Sequence, residues 1–148
     1  MLLVDEYLAL PALAGLPRAD LAGEALAMTY GRAYRLTRAL LDSGPTSLAV
    51  RGRFTRLVDR LAPPDQRVLF DRLADPDPSV LTIVDPRPPI GAAAAIQNTY
   101  AMSLLQAETL AAAVSHDWRV RFGDAASATG PVLRAAEELG LDLVVLEQ

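Results

Sequence analysis

The chain has 148 residues, is 51% hydrophobic and 22% charged, and carries a formal net charge of -4. That length fits one compact domain with a core that needs neither disulfides nor metals, and the composition excludes intrinsic disorder. There is no Cys, the one His is His116 and all 14 basic residues are Arg, so thiolate zinc sites, cysteine nucleophiles and histidine clusters are excluded and any chemistry falls to carboxylates, hydroxyls and Arg.

Met1–Val4 is a short apolar run that reads as a buried strand ending at Asp5. The run has no positive flank, and Asp5 and Glu6 interrupt it, so it reads as neither a signal peptide nor a membrane span. The expectation is a soluble cytoplasmic protein. A helix is expected over Glu6–Leu16, with Pro11 as start or kink and Gly15 and Pro17 as a stop. Leu21–Leu41 reads as one long helix, because Leu26, Tyr30, Ala33, Leu36 and Leu40 recur at steps of three and four. A turn at Asp42-Ser43-Gly44-Pro45 leads to a second short strand at Ser47–Val50, then a helix over Phe54–Leu61. Pro63-Pro64-Asp65 breaks that helix, and Asp65 is expected to cap the next, Gln66–Leu73. After the rigid Asp75–Pro78 loop, VLTIV at Val80–Val84 has the clearest strand pattern, β-branched and bounded by prolines. Helices are expected over Gly91–Tyr100 and Ser103–Val114, with Ser103 a cap, and a strand over Arg119–Phe122. Gly130-Pro131 opens a helix to Leu139, and LDLVVL at Leu141–Leu146 is a last strand.

Strands alternating with helices predict a three-layer α/β/α sandwich with a mostly parallel central sheet, formed by a single domain over residues 1–148. Ligands collect at the C-terminal strand ends of such sheets. Asp5, Asp85 and Asp124 each stand where a predicted strand stops, so parallel strands would bring them to one rim.

The opening "LLVD", the strand VLTIV with its alanine-rich helix, and the stretch from "SLLQAETLAAAVSHDWRVRFGD" to "RAAEELGLDLVVL" resemble, in order and spacing, PIN domains. The resemblance covers most of the chain and rests on order, since each motif is short. It implies a nuclease-like fold and, in many members, Mg²⁺- or Mn²⁺-dependent ribonucleases, toxins of toxin–antitoxin pairs among them. Such chemistry needs clustered carboxylates around hard cations. The resemblance places Asp5 and Asp124 at the first and last acidic positions. The third acid's place holds Gln106, and Glu108 lies two residues on, about 200° around a helix. The second is sought after the predicted second strand, where SLAVRGRFTRLVDRL offers Arg51 and Arg53, with Asp59 far along. Glu6 and Glu108 remain as substitute metal ligands, although Glu6 points away from Asp5 if the strand runs through both.

The expected function is therefore a PIN-like module with an incomplete acidic site, non-catalytic or weakly active, that binds RNA or a protein. The alternative is an active Mg²⁺- or Mn²⁺-dependent ribonuclease using Asp5 and Asp124. Each residue also has a plainer reading: Asp5 as a helix cap, Asp85 and Asp124 as turn residues, Gln106 as an amide at a helix start or in a remnant pocket. Arg53, Arg56 and Arg60 share a helix face that could contact phosphates or simply be solvated, and Arg51 and Arg53 could replace a metal with a fixed cation. Arg32, Arg35 and Arg38 fit the phosphate argument too. Tyr30, Tyr34 and Tyr100 could stack on bases, with packing the simpler role for Tyr30 and Tyr34. His116 is expected in a solvated loop and Trp118 at the core's edge. GDAASATG at Gly123–Gly130 lacks the Lys of a phosphate-binding loop and reads as a flexible connection. The long predicted helix suggests a homodimer.

Overall fold

The computed structural model describes residues 1–16, 18–41, 52, 56 and 59–146. Five strands form one sheet: β1 (Leu2–Val4), β2 (Leu26–Thr29), β3 (Thr82–Val84), β4 (Arg119–Phe122) and β5 (Leu143–Val145). Their order is β3-β2-β1-β4-β5, and every neighbouring pair is parallel. Six α-helices among the described residues complete the layers: α1 (Glu6–Leu13), α2 (Tyr30–Leu41), α3 (Pro63–Ala74), α4 (Ile90–Tyr100), α5 (Leu104–His116) and α6 (Gly130–Glu138). The predicted three-layer α/β/α sandwich is the architecture found.

Successive strand residues face opposite sides of the sheet, and two cores follow from that alternation. Leu3, Ala27, Val120 and Phe122 point to one side, where α4, α5 and α6 pack. Leu2, Val4, Leu26 and Met28 point to the other, beneath Leu8 of α1, Leu36 of α2 and Leu69 of α3. β1 lies between β2 and β4, and none of its three residues is exposed on either face. This explains its unbroken apolar sequence. Among the described residues, no helix is long and apolar enough to cross a membrane.

Leu21–Leu41 is not a single helix. Ala19–Leu21 forms a 3₁₀ turn, Leu26–Thr29 is β2, and α2 begins only at Tyr30. All four residues of β2 are buried. An interior strand covered on both faces shows no alternation, so its apolar positions fit a helical repeat as well as a strand. The second strand predicted at Ser47–Val50, and the turn before it, lie outside the described residues. So does most of Phe54–Leu61.

Other boundaries moved less. α1 ends at Leu13 rather than Leu16 and carries Pro11 inside it. α3 starts at Pro63 with Ala62, not Asp65, at its cap; two prolines occupy the first turn and Asp65 follows them there. That placement suits residues lacking an N–H, since the first helical N–H groups have no intrahelical acceptor. β4 matches its predicted span, and Ser103 caps α5 as predicted. VLTIV and LDLVVL shorten to three paired residues each, at the two edges of the described sheet.

Candidate functional site

The C-terminal ends of β1, β2 and β4 come together at one rim. Asp5 follows β1 there and is fully buried. Its Oδ1 accepts from the Leu8 N–H at 3.2 Å, which makes it the cap of α1. Its Oδ2 accepts from the Gly123 N–H at 2.9 Å, the Asp124 N–H at 3.2 Å and the Ser127 hydroxyl at 3.0 Å. The carboxylate thus ties the start of α1 to the turn after β4. Gly123 allows that approach: a Cβ there would lie 3.0 Å from Leu8 and Tyr7 side-chain carbons. Burial pushes the Asp5 carboxyl above its ordinary value, while the Gly123 hydrogen bond and the Arg32 charge pull against the rise.

Glu6 opens α1 and does not continue the strand, so it turns into the rim. It is 1% exposed, and its Oε2 accepts from Arg32 Nη1 at 2.8 Å. Arg32 is 2% exposed. Its Nε donates to Thr109 Oγ1 at 2.8 Å, and its guanidinium carbon lies 5.1 Å from the Phe122 ring centroid. The second Glu6 oxygen, Oε1, has no hydrogen-bond donor; Arg35 Nε lies 3.8 Å from it. Thr29 Oγ1, at the end of β2, is also buried without a hydrogen-bond partner.

Arg32 is the residue at this rim that no sequence argument singled out as its centre. The fixed cation was sought at Arg51 and Arg53, which lie outside the described residues. Once β2 is placed at Leu26–Thr29, the helix after the second described strand is α2, and its third residue reaches Glu6. A strand read at LAMT would have revealed it.

Glu108 also contributes to the rim without joining Asp5. It is nearly buried, and its Oε1 accepts from the Gly31 N–H at 3.2 Å in the first turn of α2. A carboxylate there complements the positive end of that helix. A Cβ on Gly31 would lie 2.3 Å from Glu108 Oε2 and 2.9 Å from Leu105 Cδ2. Gly31→Ala is therefore expected to destabilise the fold by about 1–3 kcal/mol through overpacking and loss of the Glu108 contact. Thermal melting of the single variant checks this; an unchanged midpoint would show that the α2–α5 contact is loose.

Asp124 and Asp85 follow β4 and β3 at the same rim of the parallel sheet, as expected, and Gln106 also stays there. Gln106 forms a capping box with Ser103: the Ser103 N–H donates to Gln106 Oε1 at 3.0 Å, and the Gln106 N–H donates to Ser103 Oγ at 3.3 Å. This is the helix-start role that competed with a remnant pocket, although Gln106 also lines the rim cleft. Asp124 Oδ1 accepts from the Ala126 N–H at 2.9 Å and caps the 3₁₀ turn at Ala125–Ser127. Asp85 accepts from the Arg87 N–H and side chain, and this bonding lowers its carboxyl to about 2. Arg56, Asp59 and Arg60 are exposed, and Arg53 is outside the described residues. Tyr30 and Tyr34 are exposed at 53% and 58%, contrary to the expected packed face. The Tyr100 hydroxyl donates to Glu138 Oε2 at 2.6 Å. His116 ends α5 and stacks on the core-edge Trp118, with ring centroids 4.3 Å apart.

Glu6, Tyr7, Arg32, Arg35, Ser103 and Gln106 line a cleft of about 80 Å³ at this rim, with Ser127 beside them. The carboxylates around it do not suit a divalent cation. Both oxygens of Asp5 already accept protein hydrogen bonds, and Glu6 is neutralised by Arg32. Among the described residues, no three His, Asp or Glu side chains form a group that could hold a metal ion. What the rim offers instead is a half-exposed guanidinium above a buried carboxylate. Compared with known proteins, the chain matches no family model and no curated sequence.

Proposed function

We propose that this chain is a PIN-like domain without metal-dependent cleavage, which works by binding single-stranded RNA across the C-terminal rim of its sheet. The observation that carries the reading is the buried Arg32–Glu6 ion pair beside the fully hydrogen-bonded Asp5. An internal guanidinium stands against the rim's acidic groups, so they are already compensated and have little to offer a divalent ion. RNA as the ligand is supported by α2. Tyr30, Tyr34 and Arg38 are exposed on the helix whose Arg35 lines the cleft. Aromatic faces stack on unpaired bases, and guanidinium groups hold phosphates. A sequence pI near 4.9 fits contact through this local basic strip rather than through bulk charge.

Titration with Mg²⁺ or Mn²⁺, followed by melting temperature and by cleavage and anisotropy of a short labelled single-stranded RNA, tests both parts. The expected result is RNA binding with neither cleavage nor a metal-induced shift in melting. Metal-dependent cleavage that disappears in Asp5→Asn would overturn the reading in favour of a ribonuclease using Asp5 and Asp124. A folded protein that binds no RNA would overturn the RNA part and leave a protein as the occupant of the rim.

A further inference from the structure

The cleft places two unlike groups side by side. Glu6 Oε1 is a buried acceptor without a donor, on a side chain that lines the cleft. Native structures leave few buried polar atoms unsatisfied, and each needs an explanation. Next to it, Arg35 is 43% exposed, and its Nε is 3.8 Å from that oxygen, too far for a hydrogen bond. Arg35 is therefore held by charge attraction and free of the directional bonds that fix Arg32. The matching ligand carries an anionic group for the guanidinium and, close to it, a hydroxyl that can donate to the carboxylate.

We infer that the cleft reads the ribose–phosphate unit of RNA, with Arg35 on the phosphate and Glu6 Oε1 accepting the hydrogen bond of the 2′-hydroxyl. The inference rests on the RNA reading above and adds the feature that separates RNA from DNA at this site. A phosphate competes with Glu6 for Arg35 and draws the guanidinium outward. That movement uncovers Oε1, which the 2′-hydroxyl then satisfies. Deoxyribose triggers the same movement but leaves the uncovered carboxylate unpaired. A site built to accept from a hydroxyl rejects analogues that lack it, because its own polar group is stranded. Arg35 contributes affinity and Glu6 the discrimination. Arg32 holds the other Glu6 oxygen at 2.8 Å and keeps the carboxylate in place.

The test compares three labelled single-stranded octamers of one sequence by anisotropy: RNA, 2′-fluoro RNA and DNA. The 2′-fluoro sugar keeps the ribose pucker and removes the hydroxyl that would donate. Wild-type protein is expected to bind RNA about 10-fold or more tighter than the 2′-fluoro strand, the loss typical of one hydrogen bond to a charged acceptor. Glu6→Gln is expected to bring that ratio towards one, and Arg35→Gln to weaken all three strands together. Equal binding of RNA and 2′-fluoro RNA by wild-type protein overturns this inference and leaves the RNA reading standing. Binding of none of the three overturns both. Should Glu6→Gln fail to fold, the wild-type ratio decides alone.

Discussion

Arg32→Ala is expected to lower the unfolding free energy by about 3–5 kcal/mol, the largest single-residue effect at the rim. The cost lies less in the lost attraction than in what stays behind. Glu6 is 1% exposed and would be left buried with no cation in hydrogen-bond range. Thr109 would lose its donor from Arg32, and the Phe122 ring would lose the guanidinium over its face. Denaturant unfolding of wild type and variant measures the difference. Arg35→Ala is the matched control: it removes an Arg from the same carboxylate, but one that is 43% exposed and 3.8 Å away. It should cost under about 1 kcal/mol. The double variant Glu6→Leu with Arg32→Met should recover most of the loss, because apolar side chains of similar size carry no desolvation cost. A loss below about 1 kcal/mol for Arg32→Ala would mean that water reaches the pair.

Asp5→Ala is expected to cost about 2–4 kcal/mol in the same measurement, the sum of a lost helix cap and stranded donors. The Leu8, Gly123 and Ser127 donors lose one common acceptor. Asp5→Asn keeps the shape and isolates the charge. Burial raises the folded-state Asp5 carboxyl above 3.8. A raised folded value means that the stability from this group is full below the unfolded value and is lost as pH rises through the folded one. The advantage of wild type over Asp5→Asn should therefore shrink as pH is raised from about 4 to about 8. An advantage that grows over that range would reverse the sign of the Asp5 effect.

The layer architecture was legible because most helices carry local signals. Ser103 announces α5, and Gly130-Pro131 announces α6. β2 was not legible for a physical reason: four consecutive buried residues, LAMT, run directly into the first residue of α2. With no turn between them, strand and helix merge into one apparent repeat. That error hid the site's central residue, because Arg32 gains its position only when β2 ends at the rim. Asp5 is legible from its place at the end of an apolar strand before a helix, and one of its four hydrogen bonds caps α1 while the other three tie it to the turn after β4. The orphaned Glu6 oxygen could not be read from sequence. It depends on Glu6 belonging to α1 rather than to the strand, and on where two arginines of another helix reach.

β3 and β5, the outer strands, pair over only three residues each. A three-residue edge offers a passing chain about 10 Å of open backbone, too little to seed strand addition. Among the described residues, both margins of the sheet therefore present little backbone for cross-β association.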